Sequence, residues 1–238
     1  MKIVFCDLDG TILMPGEDRL SGAAYEGVEK ILQNNIIFCV ASGRSYSELK
    51  RIMKDFDDKV YFIPSDGSQI IYKEETLFAK SLDKSSMNYL DEERDYVLHG
   101  KYLSYVKSCK DTFVRKIKEQ YNGHIVRVAN YKEIDRDVYK LTLYNSDREI
   151  PLDNVYKDYM IREFVNDTNK GYAVKRLMEI LHLDKKDSIA LGDGVNDIEM
   201  FQAAGESYAM IQAPPHVKKQ ATGTVINFSR FIEKVIKE

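Results

Sequence analysis

Cysteine and histidine are scarce in this chain, and long apolar runs are missing from it. Cys6, Cys39 and Cys109 are odd in number and widely spaced, so they provide neither a disulfide framework nor a CxxC metal pair. Cys6 and Cys39 fall inside apolar runs and read as small buried hydrophobes rather than redox groups. His99, His124, His182 and His216 show no HExxH-type spacing, which argues against a zinc site. No GxxxxGK loop and no GxGxxG follows a strand-like run, so the nucleotide-cradling folds built on those loops are not supported. The longest apolar run, Ile36 to Ala41, is far too short to span a bilayer. No basic segment precedes a long apolar stretch, so no signal peptide is expected. Charge of one sign is lacking too: 35 Lys and Arg stand against 38 Asp and Glu, a net −3. Nothing in such a balance suggests a nucleic-acid or membrane-surface partner, which would usually need a basic face. The expectation is a soluble cytoplasmic protein.

What is present is enough apolar and aromatic material to fold. With 238 residues, 44% hydrophobic and 11% aromatic, the chain is long enough for one large or two small domains and is not disordered. Ile3 to Leu8 is an apolar run without alternation, as expected of a strand buried on both faces. A helix is predicted over Ala23 to Asn34, and Ile36 to Ser42 repeats the first strand pattern. Tyr46, Leu49, Met53 and Phe56 then fall on one face of a helix, and Val60 to Pro64 is a third strand. This alternation predicts a parallel sheet with helical crossovers.

The pattern changes after a hairpin arm at Ser68 to Lys73. From Leu82 to Asn166 the sequence predicts a long polar helix over Lys101 to Gln120 and strands at His124 to Val128, Tyr139 to Tyr144 and Tyr159 to Val165. YKLTLY alternates, which suits an open sheet with one wet face. Ten of the 16 tyrosines lie in this stretch and read as core and sheet-surface residues. The first pattern then returns, with a helix over Lys170 to Leu181 and strands at Ser188 to Gly192, Ser207 to Ile211 and Thr224 to Phe228. The fold class is therefore α/β, a Rossmann-like parallel-sheet core of residues 1–81 and 167–238 with a smaller α+β domain, 82–166, inserted in it.

Four segments carry chemical groups, and each lies where a predicted strand ends or the next helix begins. In open α/β sheets that edge holds the ligand site. In Asp7-Leu8-Asp9-Gly10-Thr11, Asp7 and Asp9 face one side if the strand geometry persists, because residues two apart do so. Two carboxylates together need a cation or a proton. A hard divalent ion with oxygen ligands suits Asp7, and a raised-pKa proton suits Asp9 as general acid and base. Taken alone, the motif also reads as an Asx turn or another metal loop. Ser42-Gly43-Arg44 offers a hydroxyl and a backbone N–H to an anion, or a plain helix N-cap at Ser42. Arg44 binds substrate or only pairs with a surface carboxylate. Lys170 opens a helix, where a cation is locally unfavourable, which points to a partner such as a phosphoryl oxygen; the alternative is an exposed lysine. Gly192-Asp193-Gly194-Val195-Asn196-Asp197 places Asp193 as a metal ligand and Asn196 and Asp197 as supporting groups, more acid than a capped turn needs. Collected at one edge, these groups call for Mg²⁺ and a multiply charged oxyanion, for which phosphate is the natural fit.

DLDGT at 7–11, ASGR at 41–44, Lys170-Gly171 and GDGVNDIEM at 192–200 together resemble the haloacid dehalogenase superfamily, and within it the Cof-type sugar-phosphatase-like branch. The motifs occur in that family's order and cover the core, about two-thirds of the chain. The resemblance implies a Mg²⁺-dependent phosphatase acting on a small phosphorylated metabolite, such as a sugar phosphate, with the insert as its cap. It implies Asp7 as nucleophile and Asp9 as acid and base. Asp7, the backbone carbonyl of Asp9, and Asp193 would hold Mg²⁺. Ser42 and Lys170 would bind the phosphoryl group, with Leu8, Gly43 and Asn196 beside them and Thr11, Arg44 and Asp197 in support. Two positions depart from the family pattern, Asp66-Gly67 in place of Asn-Gly and Gln212-Ala213 in place of Asn-Ala. The charge of Asp66 would disfavour a second anionic group nearby. Phosphoglycolate, a nucleotide or a cofactor phosphate are alternative substrates, and a phosphomutase an alternative activity. A phospho-accepting switch also uses acids, a hydroxyl and a lysine, but the GDGVND loop, Asp9 and the large insert argue against it. Arg94, Arg115, Lys118 and Arg127 are the insert's candidate substrate contacts, each also readable as a solvated charge.

Overall fold

The computed structural model describes residues 2–83, 87, 90, 94–121, 124–144, 153–157 and 161–237. Continuous apolar runs become the middle of a large sheet. β1 (Ile3–Cys6) is fully buried and is followed by α1 (Gly22–Gln33), whose N-cap Ser21 accepts a bond from Ala24 N. β2 (Ile37–Ala41), α2 (Tyr46–Ile52) and β3 (Tyr61–Ile63) follow. Ser45, not Ser42, caps α2, in a capping box with Glu48. Phe56 lies beyond α2 but is still buried. β4 (Gln69–Tyr72) and β5 (Glu75–Ala79) form the hairpin.

After the insert come α4 (Lys170–Ile180), β12 (Ser188–Gly192), α5 (Ile198–Ala203), β13 (Glu206–Met210), α6 (Pro215–Lys218), β14 (Gly223–Val225) and α7 (Phe228–Lys237). The sheet order is β14-β13-β12-β1-β2-β3-β4-β5, parallel from β14 to β3 and antiparallel in the hairpin. β1 lies between β2 and β12. The chain first winds outward on one side of β1 and later returns on the other, and such a reversal opens a crevice at the strands' carboxyl ends. Apolar clusters fill both faces: α1, α2 and α7 cover one, and α4 and α5 the other.

The intervening segment forms a second sheet. Its strands are β6 (Tyr96–His99), β7 (Ser104–Lys107), β8 (Ile125–Arg127), β9 (Lys140–Tyr144), β10 (Asp153–Lys157) and β11 (Ile161–Val165), with α3 (Asp111–Gln120) between β7 and β8. The order is β10-β11-β9-β6-β7-β8.

The long helix over Lys101 to Gln120 is corrected: its first part is β7, paired antiparallel with β6 from Tyr96↔Lys107 to His99↔Ser104. Cross-strand partners override a polar, helix-like local pattern. β5, β6 and β10 are strands that the sequence reading did not assign. Tyr159 and Met160, the start of the strand expected at Tyr159 to Val165, lie outside the described residues. The strand expected over Thr224 to Phe228 stops at Val225. Asn227 accepts a bond from Arg230 N, which starts α7 at Phe228.

The wet face expected of YKLTLY is absent, since Lys140 to Leu143 are all buried. Leu98, Leu141 and Leu143 pack on one side of the sheet against Tyr96, Tyr105 and Tyr131. The other side carries His99, Lys140 and Thr142, and Lys140 reaches the core sheet's edge. Among the described residues, no helix is long and apolar enough to cross a membrane.

Candidate active site

Four separated segments meet at the carboxyl edge of β12, β1, β2 and β3. Lys170, in the first turn of α4, is 1% exposed and donates to Asp7 Oδ1 at 2.6 Å and Asp197 Oδ1 at 2.7 Å. The partners of this lysine are thus a pair of carboxylates, where a phosphoryl oxygen was expected, and the reading of Lys170 as an exposed residue is excluded. Thr11 Oγ1 donates to Asp7 Oδ2 at 3.2 Å and lies 3.4 Å from Asp193 Oδ1, tying the β1 loop to the β12 loop. Asp197 Oδ2 accepts from Asp193 N and Gly194 N, which fixes the turn that presents Asp193. Gly10, at φ +79°, is required here, because any Cβ would collide with the Asp193 carboxylate.

Asp7, Asp193 and Asp197 each offer a carboxylate oxygen, and these oxygens lie within 4.8 Å of one another. Burial raises the Asp7 carboxyl to about 8, with Asp197 and Asp193 adding to the rise and Lys170 opposing it. Burial and Asp197 also hold Asp193 above the usual carboxylate range. Burial by itself would depress Lys170, but Asp197 and Asp7 hold it above its ordinary value. An all-oxygen cluster with more negative charge than one lysine relieves fits a small hard divalent cation, Mg²⁺ being the natural one.

The Asp9 side chain stands apart from this group. Arg44 clamps it with two bonds, Nε to Oδ2 at 2.8 Å and Nη2 to Oδ1 at 2.7 Å. The carboxylate that Arg44 pairs with is therefore the proposed acid–base itself, and Glu48 lies 3.7 Å from Nη1. Ser42 Oγ accepts from Arg44 N at 3.2 Å, which leaves the hydroxyl hydrogen to point elsewhere. Leu8 is fully buried in the apolar core, so only its backbone can face the site. Gln212 donates to Gly10 O at 2.7 Å and steadies the first loop.

The second sheet contributes residues that the sequence did not single out. Lys140 Nζ donates to Gly43 O at 2.8 Å and to Asp66 Oδ2 at 3.0 Å, and pairs with Glu163 Oε2 at 2.8 Å. Asp66 Oδ1 accepts from Asn196 Nδ2 at 2.9 Å, so Asp66 links the insert to the GDGVND loop. The Asp66 charge is neutralised by Lys140 rather than left bare. Burial works to raise the Asp66 pKa, but Lys140 and Lys170 hold it below the usual carboxylate range. His99 Nδ1 lies 3.1 Å from Ser104 Oγ and Nε2 lies 2.9 Å from Thr142 Oγ1. Burial beside Lys140 pushes His99 down to about 3, so the ring is neutral. A cavity of about 550 Å³ lies between the loops that carry Asp7, Ser42 and Asp193 and this roof of His99, Lys140 and Glu163, with Gln120 and Tyr121 at its side. Arg94, Arg115, Lys118 and Arg127 do not line it; Arg127 pairs with Asp111. The signal for the roof was faint: a lysine and a threonine alternating inside an otherwise apolar strand.

The family model of haloacid dehalogenase-like hydrolases matches residues 4–160 and 155–228. A 5-amino-6-(5-phospho-D-ribitylamino)uracil phosphatase of Escherichia coli is 24% identical over 90% of this chain and 86% of its own length. Phosphoglycolate phosphatase 1 of Saccharolobus solfataricus is 24% identical over 100% of this chain and 96% of its own. A crystallised HAD subclass IIB sugar phosphatase superposes with a TM-score of 0.80 at 17% identity, covering 100% of this chain and 98% of the other. A haloacid dehalogenase-like hydrolase from B. subtilis superposes at 0.83 with 20% identity, covering 100% and 99%.

Proposed function

The chain belongs to the haloacid dehalogenase-like hydrolases, and from that premise we propose that it is a Mg²⁺-dependent phosphatase that cleaves a small phosphomonoester through a phosphoryl group carried on Asp7. The observation that carries this reading is the buried constellation of Asp7, Lys170, Asp193 and Asp197 at the carboxyl edge of β1 and β12. Relatives that act on phosphomonoesters support it. In the proposed arrangement residues 1–81 and 167–238 form the catalytic core, and residues 82–166 form a cap over the site.

Asp7 Oδ attacks phosphorus, the Asp7–phosphorus bond forms, and the bond to the leaving oxygen breaks. Asp9 gives its proton to that oxygen, then takes one from the water that attacks the phosphoryl-aspartate and releases inorganic phosphate. Arg44 orients Asp9, whose side chain is half-exposed. Lys170 has three hydrogens and gives two to Asp7 and Asp197, so one remains for a phosphoryl oxygen. The Ser42 hydroxyl, the N–H groups of Leu8 and Gly43, and the Asn196 amide complete the phosphoryl cradle. Asp7, the Asp9 carbonyl and Asp193 would hold Mg²⁺, with Asp197 orienting Lys170 and the Asp193 turn. When bound, the ion neutralises the carboxylates and polarises the phosphoryl group. Phosphomonoester hydrolysis is among the slowest uncatalysed reactions, and neutralising and positioning the phosphoryl group supplies most of the acceleration.

Hydrolysis of p-nitrophenyl phosphate with Mg²⁺ and with EDTA tests the reading. Turnover that needs the metal and disappears in Asp7→Asn is expected. Equal rates in EDTA, or near-normal activity of Asp7→Asn, would overturn it.

A further inference from the structure

The roof of the cavity says more about the leaving group than the catalytic loops do. The space of about 550 Å³ exceeds a phosphoryl group, so several further atoms fit beneath the cap. Among the described residues, five carboxylates and two cations, Arg44 and Lys140, line it; Asp7, Asp9 and Asp193 belong to the proposed catalytic group, which leaves Glu48 and Glu163 beyond it. Both cations are engaged. Arg44 holds Asp9 with two bonds and lies beside Glu48. Lys140 has three hydrogens and three acceptors: Gly43 O, Asp66 Oδ2 and Glu163 Oε2. Lys140 therefore keeps no hydrogen for a ligand.

The clasp around Lys140 is built, not incidental. Ser65, Asp66 and Gly67 run in succession at φ +51°, +52° and +95°, and this left-handed turn delivers the Asp66 carboxylate to Lys140. A Cβ at Gly43 would lie 3.0 Å from Asp66 Oδ2 and 3.1 Å from Lys140 Nζ, so the absence of a side chain there permits the approach. Lys140 and Asp66 are 4% and 1% exposed in their side chains, whereas Glu163 is 23% exposed and faces the cavity. His99 offers no charge to the roof, since it is neutral and both its ring nitrogens are engaged.

We propose that this cavity selects phosphomonoesters whose leaving group is uncharged or cationic and rich in hydrogen-bond donors, that it refuses a second anion, and that Glu163 sets the choice by occupying Lys140. The inference rests on the phosphatase reading and names its substrate class: monophosphates of polyols or amino alcohols. Hydroxyls or an ammonium group donate to Glu163 and Glu48. A carboxylate or second phosphate would either stand among carboxylates or strip Lys140 from Asp66 or Glu163, leaving a buried charge without its partner.

Three probes of similar size and different charge decide it: glycerol 3-phosphate, phosphoethanolamine and phosphoglycolate. Their kcat/KM values are compared in the Mg²⁺-loaded enzyme, and their Kd values in Asp7→Asn, where nothing turns over. The uncharged and cationic leaving groups are expected to be favoured over phosphoglycolate by about tenfold or more in both measurements. Glu163→Gln, and separately Asp66→Asn, should narrow that ratio several-fold, because each releases Lys140 from a carboxylate. Phosphoglycolate used and bound as well as glycerol 3-phosphate would overturn the inference, as would a ratio unmoved in both variants. Hydrolysis of p-nitrophenyl phosphate by the wild type is the separate control: its absence sinks the phosphatase reading, while the Kd ratio still decides the binding preference.

Discussion

Replacing Lys140 by methionine should destabilise this protein more than a single change on a sheet that sequence pattern marks as half-wet would suggest. Methionine keeps most of the aliphatic volume, so the change removes charge and hydrogen bonds while leaving little cavity. Asp66 would remain 1% exposed in its side chain, with the Asn196 amide as its hydrogen-bonding side chain. Removing one partner of a buried pair costs about 3–5 kcal/mol. The surviving Asn196 bond and the nearby Lys170 charge place this case at the low end, about 3 kcal/mol. For a chain of this length, that lowers the melting temperature by about 6–12 °C. Glu163 also loses the Lys140 ion pair but keeps the Thr142 hydroxyl and is 23% exposed, so it adds little.

The pH dependence has a definite sign. Asp66 has its folded pKa depressed, so the intact pair contributes stability above the ordinary carboxylate value, about 4, and loses it as pH falls through the depressed value. In Lys140→Met the burial of Asp66 is no longer offset, its pKa rises, and protonation relieves the variant first. The gap from wild type should therefore be widest near pH 7.5 and shrink toward pH 5. Asp66→Asn should cost less than Lys140→Met, and the double variant Asp66→Asn/Lys140→Met should be more stable than Lys140→Met alone. Circular-dichroism melts at the two pH values measure all of this. A Lys140→Met melting point within about 2 °C of wild type, or effects that simply add in the double variant, would refute the clasp.

Two further outcomes follow from the site. His99 is held neutral with a pKa near 3, against about 6.5 when unfolded, so folding stability should fall as pH drops from 6.5 toward 3, by up to about 1.4 kcal/mol per pH unit from this residue. In His99→Gln the part of that slope belonging to His99 should vanish, as measured by urea unfolding between pH 6.5 and 5; an unchanged slope would contradict its neutrality. Mg²⁺ at 100 times its Kd should stabilise the fold by about 2.7 kcal/mol. Asp193→Asn should lose most of that increment in thermal melts, and an equal Mg²⁺ shift in the variant would remove Asp193 from the metal site.

The legible part of the molecule was the part whose signal is local. β1, β2 and β12 are buried on both faces, so each reads as an unbroken apolar run, and each is followed at once by its acid or hydroxyl. Their convergence followed from the rule that ligand sites lie at the carboxyl ends of parallel strands, and Asp7, Asp193, Asp197 and Lys170 are found together. The insert was less legible because its strands owe their state to cross-strand partners rather than to apolar runs of their own. Ser104 to Lys107 carries no apolar run and becomes a strand through β6 and β8. The roof was misread for a related reason. Lys140 and Thr142 alternate with leucines as they would on a solvated face, but the water they were assigned is replaced by Asp66, Gly43 O and Glu163. Asp66 was visible as a departure from the family pattern; its neutralising partner, 74 residues away, was not.

The central claim, that Asp7 carries the phosphoryl group, is tested most directly by acid-quenching the Mg²⁺-loaded enzyme during turnover of p-nitrophenyl phosphate and locating the phosphoryl group by peptide mass spectrometry. Asp9→Asn should slow both half-reactions, but the second more with p-nitrophenolate, a leaving group that needs little protonation, so it serves as the accumulating variant. The account predicts a phosphorylated peptide with its modification on Asp7, absent in EDTA and in Asp7→Asn. Turnover with the phosphoryl group on any other residue, or full turnover in Asp7→Asn, would contradict it.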